Sequence, residues 1–182
     1  MTSADPGGAS VAAITIRPAT AADLEPIRAI FNYYVARSTC TFQIEPETAA
    51  ERAAWFRERS ARHPVTVGTA GDEVIGWAAL SPWKSRCAYA DSAEASVYVR
   101  HEHHRRGIGR ALLLDLIDRA RAAGLHTVIG GACSEQAASL ALQAALGFEP
   151  VGTFRAVGRK FDRRLDVTYM QLVLTESGPG RA

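Results

Sequence analysis

Residues 96–110 read SVYVRHEHHRRGIGR. A short apolar run, Ser96 to Val99, passes into a basic stretch. A glycine-spaced turn, Arg105-Arg106-Gly107-Ile108-Gly109-Arg110, then opens the strongly helical segment ALLLDLIDRARAAG. Glycines entering a helix leave several backbone N–H groups aimed at one spot, at the positive end of the helix dipole. Arginines beside them add charge-assisted donors for phosphate. The stretch predicts a strand, a diphosphate-binding turn and a helix, in that order.

Two common phosphate-binding folds are excluded by what flanks the turn. Arg110-Ala111 stands where a P-loop would carry its lysine. The acidic residue that a dinucleotide-binding turn needs about 20 positions on is not evident either. The wider pattern points elsewhere. ITIRP (14–18) predicts a strand, and Thr20-x-x-Asp23 starts a helix with Leu24, Ile27, Phe31 and Tyr34 at helical spacing. Thr48 and Glu51 start a second helix carrying Ala54, Trp55 and Phe56. Segments 64–70 and 74–80 flank Gly71-Asp72-Glu73 as a hairpin. A strand at 94–100 leads to a helix at 108–123, stopped by Gly124, and to a buried strand at 126–133. Ser134 is expected to cap a short helix running to Leu146, ended by Gly147, with last strands at 149–156 and 165–174. Strand, two helices, three strands, helix, strand, helix and two strands make an α/β fold with a mixed sheet.

At 182 residues the chain reads as one domain, with a hydrophobic fraction of 47% that is ample for a core. A net charge of +2 is too small to argue for nucleic acid or a membrane surface. Arg100, Arg105, Arg106 and Arg110 do cluster, with His101, His103 and His104 between them. No aromatic platform or second basic stripe accompanies them, which argues against a nucleic-acid partner. The histidines lack a carboxylate-rich neighbourhood and read as a solvated rim, not a metal site. Cys40, Cys87 and Cys133 are odd in number and widely spaced, as expected of reduced thiols in a cytoplasmic protein. Met1 to Ser10 lacks the basic start and apolar core of a signal peptide, so none is expected, and no apolar run approaches membrane length. Residues 1–13 and 175–182, small, polar and rich in Gly and Pro, read as disordered tails around a domain at 14–174.

The turn His104-Arg105-Arg106-Gly107-Ile108-Gly109 resembles the pyrophosphate motif of the GNAT superfamily of acyl-CoA-dependent N-acetyltransferases, with His104 in place of the usual Gln or Arg. A narrower resemblance lies in residues 82–99, PWKSRCAYADSAEASVYV. Their Pro-Trp-Lys-x-Arg-x-Ala-Tyr, then Ala-Glu before Val-Tyr-Val, is similar to the segment that marks phosphinothricin N-acetyltransferases. Asn32-x-Tyr34 with Ser38-Thr39, Phe42 and Glu45-Pro46 agrees, as do Leu146-Gly147-Phe148 and Gly158-x-Lys160 before Asp166 and Gln171-Leu172.

The resemblance implies a GNAT fold, a mixed central sheet flanked by helices, and acetyl-CoA as co-substrate with no metal. It implies a small amino-acid acceptor of the phosphinothricin or methionine sulfoximine type, and a homodimer, which apolar surface on the helix around 24–35 would permit. Glu94 takes the place of the general base; on spacing alone it would read as an exposed strand glutamate paired with an arginine. Val97, Tyr98 and Val99 fall where backbone groups bind the thioester arm and face its carbonyl. Arg105, Arg106, Gly107, Ile108, Gly109, Arg110, Gln136 and Ser139 fall at the rest of the coenzyme site. Phe42, Lys84, Arg86 and Tyr89 fall at the acceptor site, with Lys160 a further cation. Trp77 and Trp83 read as packing residues. Gln143 stands where related enzymes place a Tyr or His acid, and a neutral amide cannot deliver a proton. That departure leaves a non-catalytic acyl-CoA sensor as the alternative from another class, beside an acetyltransferase for another amine or a protein N-terminus.

Overall fold

The computed structural model of the chain describes residues 14–174, so the expected tails lie outside the described residues. In chain order the elements are β1 (Ile14–Pro18), α1 (Leu24–Arg37), α2 (Ala49–Arg57), β2 (Val65–Ala70), β3 (Glu73–Pro82), β4 (Ser92–Val99), α3 (Ile108–Ala122), β5 (Thr127–Cys133), α4 (Ala137–Ala144), β6 (Glu149–Lys160) and β7 (Arg163–Val173). The sheet runs β1-β2-β3-β4-β5-β7-β6. Its neighbours are antiparallel except β4 and β5, which are parallel.

A separate core fills each face of the sheet. On one, α3 buries Ile108, Leu112, Leu113, Leu116, Ile117 and Ala120, a helical stripe laid on Ile75, Ala78, Leu80, Ala93 and Val128. Gly76 lets that helix close in, because a Cβ there would stand 3.0 Å from Leu112 and 3.1 Å from the Tyr98 carbonyl. On the other face, α1 buries Ile27, Ile30, Phe31, Tyr34 and Val35 against Val65, Val67, Trp77 and Ala79. The apolar side of α1 is thus committed inward, which corrects its reading as a docking surface. Arg52 of α2 sits fully inside this second core, over Trp55 (4.4 Å), Phe31 (5.0 Å) and Trp77 (5.2 Å), with its charge met by Glu47.

The start of α2 follows its sequence signal, whereas Thr20-x-x-Asp23 forms a single 3-10 turn, Ala21–Asp23, ahead of α1, which itself begins at Leu24 without a side-chain cap. Thr48 Oγ1 accepts from the Glu51 amide at 3.2 Å while Glu51 accepts from Thr48 N at 2.7 Å. Two boundaries differ from expectation. Ser134 does not cap α4: its Oγ shares a hydrogen bond with Thr168 Oγ1 (2.8 Å), and the helix begins after Gln136. Strands β6 and β7 also run further than 156 and 165, because Phe161 and Asp162, both at positive φ, make a tight turn without any glycine to signal it.

Candidate active site

Strand β4 pairs with β5 only at Ser92–Thr127, Ala93–Val128 and Glu94–Ile129. Beyond Glu94 the two separate: β4 keeps β3, and β5 keeps β7. Arg100 N donates to Ile75 O (2.8 Å) and Trp83 N to Ser92 O (3.2 Å), which sets the alternation of the β3–β4 ladder. Even-numbered residues of β4 bond to β3. Past the Glu94–Ile129 pair, the Ala95 carbonyl, both backbone groups of Val97 and the Val99 amide therefore face the split, an open strand edge inside a sheet, while the Val99 carbonyl accepts from the Tyr34 hydroxyl. Tyr98 is corrected on this point. Its backbone points to β3, and its ring packs on Trp77 (4.9 Å) and Phe31 (5.3 Å).

The chain then enters the basic turn. Arg105 (φ 64°) and Gly107 (φ 78°) both take the left-handed conformation, natural for glycine and strained for arginine. Gly107 is the N-cap of α3 and gives it no side-chain cap. Among the described residues no group accepts from the amides of Gly107, Ile108, Gly109 or Arg110. The first amides of a helix have no intrahelical acceptor, so a cluster of free ones at a helix start whose Gly107 and Arg110 are exposed fits an anionic ligand. Arg105, Arg106 and Arg110 are exposed beside them. Open edge and turn lie one after the other along the chain, as a ligand with a diphosphate and an amide-bearing arm requires.

Glu94 stands at the mouth of the split and is half-buried. Burial pushes its carboxyl above the ordinary glutamate range, and the nearby Lys84 charge opposes that only in part. The alternative of an exposed, arginine-paired strand residue is not what is found. Just past the mouth, β5 carries Gly130 and Gly131, whose missing side chains face opposite sides of the sheet. A Cβ on Gly131 would lie 2.9 Å from the Tyr169 ring and 3.5 Å from Glu94 Oε1. Trp83 and Phe154 meet Tyr169 edge to face at 5.5 and 5.6 Å, walling this side with aromatic surface. Tyr169 is absent from the sequence reading. The Gly-Gly pair inside a strand was its one signal, since it marks close approach without naming what approaches.

A Cβ on Gly130 would fall 2.0 Å from Gln143 Oε1. Gln143 is 7% exposed, its Oε1 has no partner among the described residues, and its Nε2 is 3.5 Å from Ser139 Oγ. The two faces of the split thus carry a carboxylate and a buried amide. Gln136 donates to Thr39 Oγ1 (2.8 Å), so it ties α4 to the loop after α1. Lys160 is corrected: it is 5% exposed and donates to the Ser38 and Thr41 carbonyls, both at 2.8 Å, so it clamps that loop and is not a free cation. The clamped loop presents Phe42, which rests on Gly158. Lys84, Arg86 and Tyr89 lie exposed on the segment leading to Glu94, with Lys84 4.6 Å over the Trp83 ring. His101 and His104 are exposed, as expected of a solvated rim, and their rings also pack on Tyr33 and Tyr34. Among the described residues no cluster of three or more His, Cys, Asp or Glu side chains could hold a metal, and no helix is long and apolar enough to cross a membrane.

Comparison with known proteins agrees with this geometry. The family model described as "Acetyltransferase (GNAT) family" matches residues 27–148. An L-methionine sulfoximine/L-methionine sulfone acetyltransferase of Pseudomonas aeruginosa is 42% identical over 169 residues, covering 91% of this chain and 98% of the relative. A phosphinothricin N-acetyltransferase of Streptomyces coelicolor is 38% identical over 164 residues, covering 88% and 96%. Among solved structures, an acetyltransferase of Salmonella typhimurium, determined with its cofactor acetyl-CoA, superposes with a TM-score of 0.87 at 37% identity, covering 93% of this chain and 99% of that one. The chain belongs to the acetyltransferase (GNAT) family and is an N-acetyltransferase.

Proposed function

We propose that the protein moves an acetyl group from acetyl-CoA to the primary amine of a small amino acid of the methionine sulfoximine or phosphinothricin type. Glu94 is the general base in this reading. The carrying observation is Glu94 itself: a half-buried carboxylate at the mouth of the split, reached through an exposed cationic loop. The acetyl-CoA complex of the Salmonella relative supports the donor, and the names of the curated relatives support the acceptor class.

The thioester supplies an activated acetyl carbonyl, and the chain's residues answer three needs around it. The amine must first lose a proton, which for an α-amine of pKa near 8 costs roughly 1.4 kcal/mol at pH 7. Glu94 takes that proton directly or through a water. A positioned base of raised pKa contributes about 10²–10⁴-fold. Negative charge next builds on the carbonyl oxygen, and the split-facing amides of Val97 and Val99 are the donors at hand. The thiolate then leaves. With a thiol pKa of about 8.5 it departs without an acid, so the neutral amide of Gln143 need not supply a proton. Lys84, Arg86 and Tyr89 supply cations and a donor for an acceptor carrying a carboxylate and a polar head. Phe42 and Tyr169 wall the site.

Thiol release from acetyl-CoA, measured across L-methionine sulfoximine, phosphinothricin, other amino acids, spermidine and an N-terminal peptide, tests the assignment. Turnover is expected with the amino acids. Turnover confined to spermidine or peptide would move the acceptor, and none at all would favour a sensor. Arg86→Ala is expected to raise KM for a carboxylate-bearing acceptor. Pairing is also part of this reading. β6 is an edge strand whose Val151, Phe154 and Val157, together with Phe161 at its turn, are half or more exposed. A long apolar edge of that kind seeks a partner strand, and a second copy is the one proposed.

A further inference from the structure

We propose that Tyr34 and His104 act together as positioning residues that lock the diphosphate turn to the open edge of β4. The inference rests on the placement of the coenzyme along that edge and turn.

Tyr34, near the end of α1, reaches out of the second core to the last residue of β4. Its hydroxyl lies 2.5 Å from the Val99 carbonyl and 2.6 Å from His104 Nε2, and Nε2 is 3.2 Å from the same carbonyl. Hydrogen counting orders this triangle. The carbonyl only accepts, and the phenol has one hydrogen to give. With that hydrogen on Val99 O, Nε2 must carry its own and share it between the phenol oxygen and the carbonyl. His104 is therefore an Nε2–H donor here, directed inward and not at a ligand.

One node thus joins three pieces: the end of α1, the end of the split-facing edge and the residue before the turn. It caps Val99 O from within the chain, leaving Val97 and the Val99 amide for an incoming extended arm. It also anchors the segment immediately before Arg105, whose left-handed backbone persists only if its surroundings over-determine it. A second grip lies next to it. Tyr33 stacks on His101 at 3.9 Å and 7°, so consecutive residues of α1 hold the 101–104 segment at two points. A ligand that touches both edge and turn gains from having the two held at fixed separation, since its second contact is then made without further ordering. A ligand that touches only the edge gains nothing from it.

That asymmetry gives the test. Acetyl-CoA uses edge and turn, whereas acetyl-pantetheine lacks the diphosphate and uses the edge alone. Let R be kcat/KM for acetyl-CoA divided by kcat/KM for acetyl-pantetheine, at one saturating acceptor concentration. His104→Ala is expected to lower R about tenfold, the effect of losing a shared, partly buried hydrogen-bond node. His104→Gln, which keeps an N–H donor of similar reach, is expected to restore most of it. Tyr34→Phe should lower R in the same sense, and combining it with His104→Ala should add little. An equal fall for both donors would mean general damage to β4 and would overturn the inference, as would an unchanged R in His104→Ala. The coenzyme placement fails separately: a wild-type protein with no preference for acetyl-CoA over acetyl-pantetheine would reject it before any variant is made.

Discussion

Glu94 ionises less readily than an ordinary glutamate because the sheet and the aromatic side chains around it replace water, and Lys84 restores only part of the loss. The sign for catalysis follows. The proposed base must be unprotonated to act, so kcat/KM is expected to fall as pH falls through a value above the ordinary carboxylate range. Lys84→Met should move that limb to higher pH still, since it removes the charge that holds the pKa down. Glu94→Gln should cut kcat at least about tenfold while acetyl-CoA binding, followed by calorimetry, persists. Unchanged turnover in Glu94→Gln would remove it as the base. Tyr169 belongs to the same scale. Its phenol is pushed up by burial and then by the Glu94 charge, which marks the two as neighbours although they stand 75 positions apart in the chain.

Elements are held by local ion pairs and caps whose effect can be measured apart from activity. Asp23 ends the short turn before α1. The Arg17 guanidinium, at 2.7 and 2.8 Å, holds its carboxyl down at about 2; burial pushes the other way, and the Thr20 amide and hydroxyl add to the lowering. A depressed carboxylate stabilises the fold above its unfolded pKa, and that contribution is lost as pH falls toward 2. Asp23→Asn is expected to cost about 1–2 kcal/mol at pH 7 by urea denaturation, discounted because Arg17 is 41% exposed, and almost nothing at pH 2. A cost that does not shrink on acidification would mean packing, not the ion pair. Thr48→Ala, which removes the reciprocal cap of α2, is expected to cost about 1 kcal/mol at any pH where Glu51 is charged.

At the scale of the whole molecule the open quantity is pairing. With the apolar side of α1 facing inward, the β6 edge is the surface that calls for cover, its first nine residues being exposed along their length. Sedimentation of the wild-type protein is expected to give a dimer, and Val157→Lys a species of half that mass with its fold intact by circular dichroism. A variant that stays dimeric would place the contact elsewhere.

The linear chain alone determined the order of its elements, the glycine turn that opens α3, the cap of α2 and the place of Glu94 in β4. These are local: capping, periodicity and glycine spacing act between residues a few positions apart, and the resemblance was carried by contiguous motifs. Tertiary structure decided what depends on strands meeting. Only the register of β3, β4 and β5 shows that Val97 and Val99 face the split while Tyr98 does not. Only the packing of the loop after α1 turns Lys160 from a candidate substrate cation into a clamp. The Tyr34–His104 node spans 70 positions, and no spacing rule reaches that far. Such contacts are set by how a sheet pairs and twists, a cooperative outcome of the whole chain that no single stretch of it encodes.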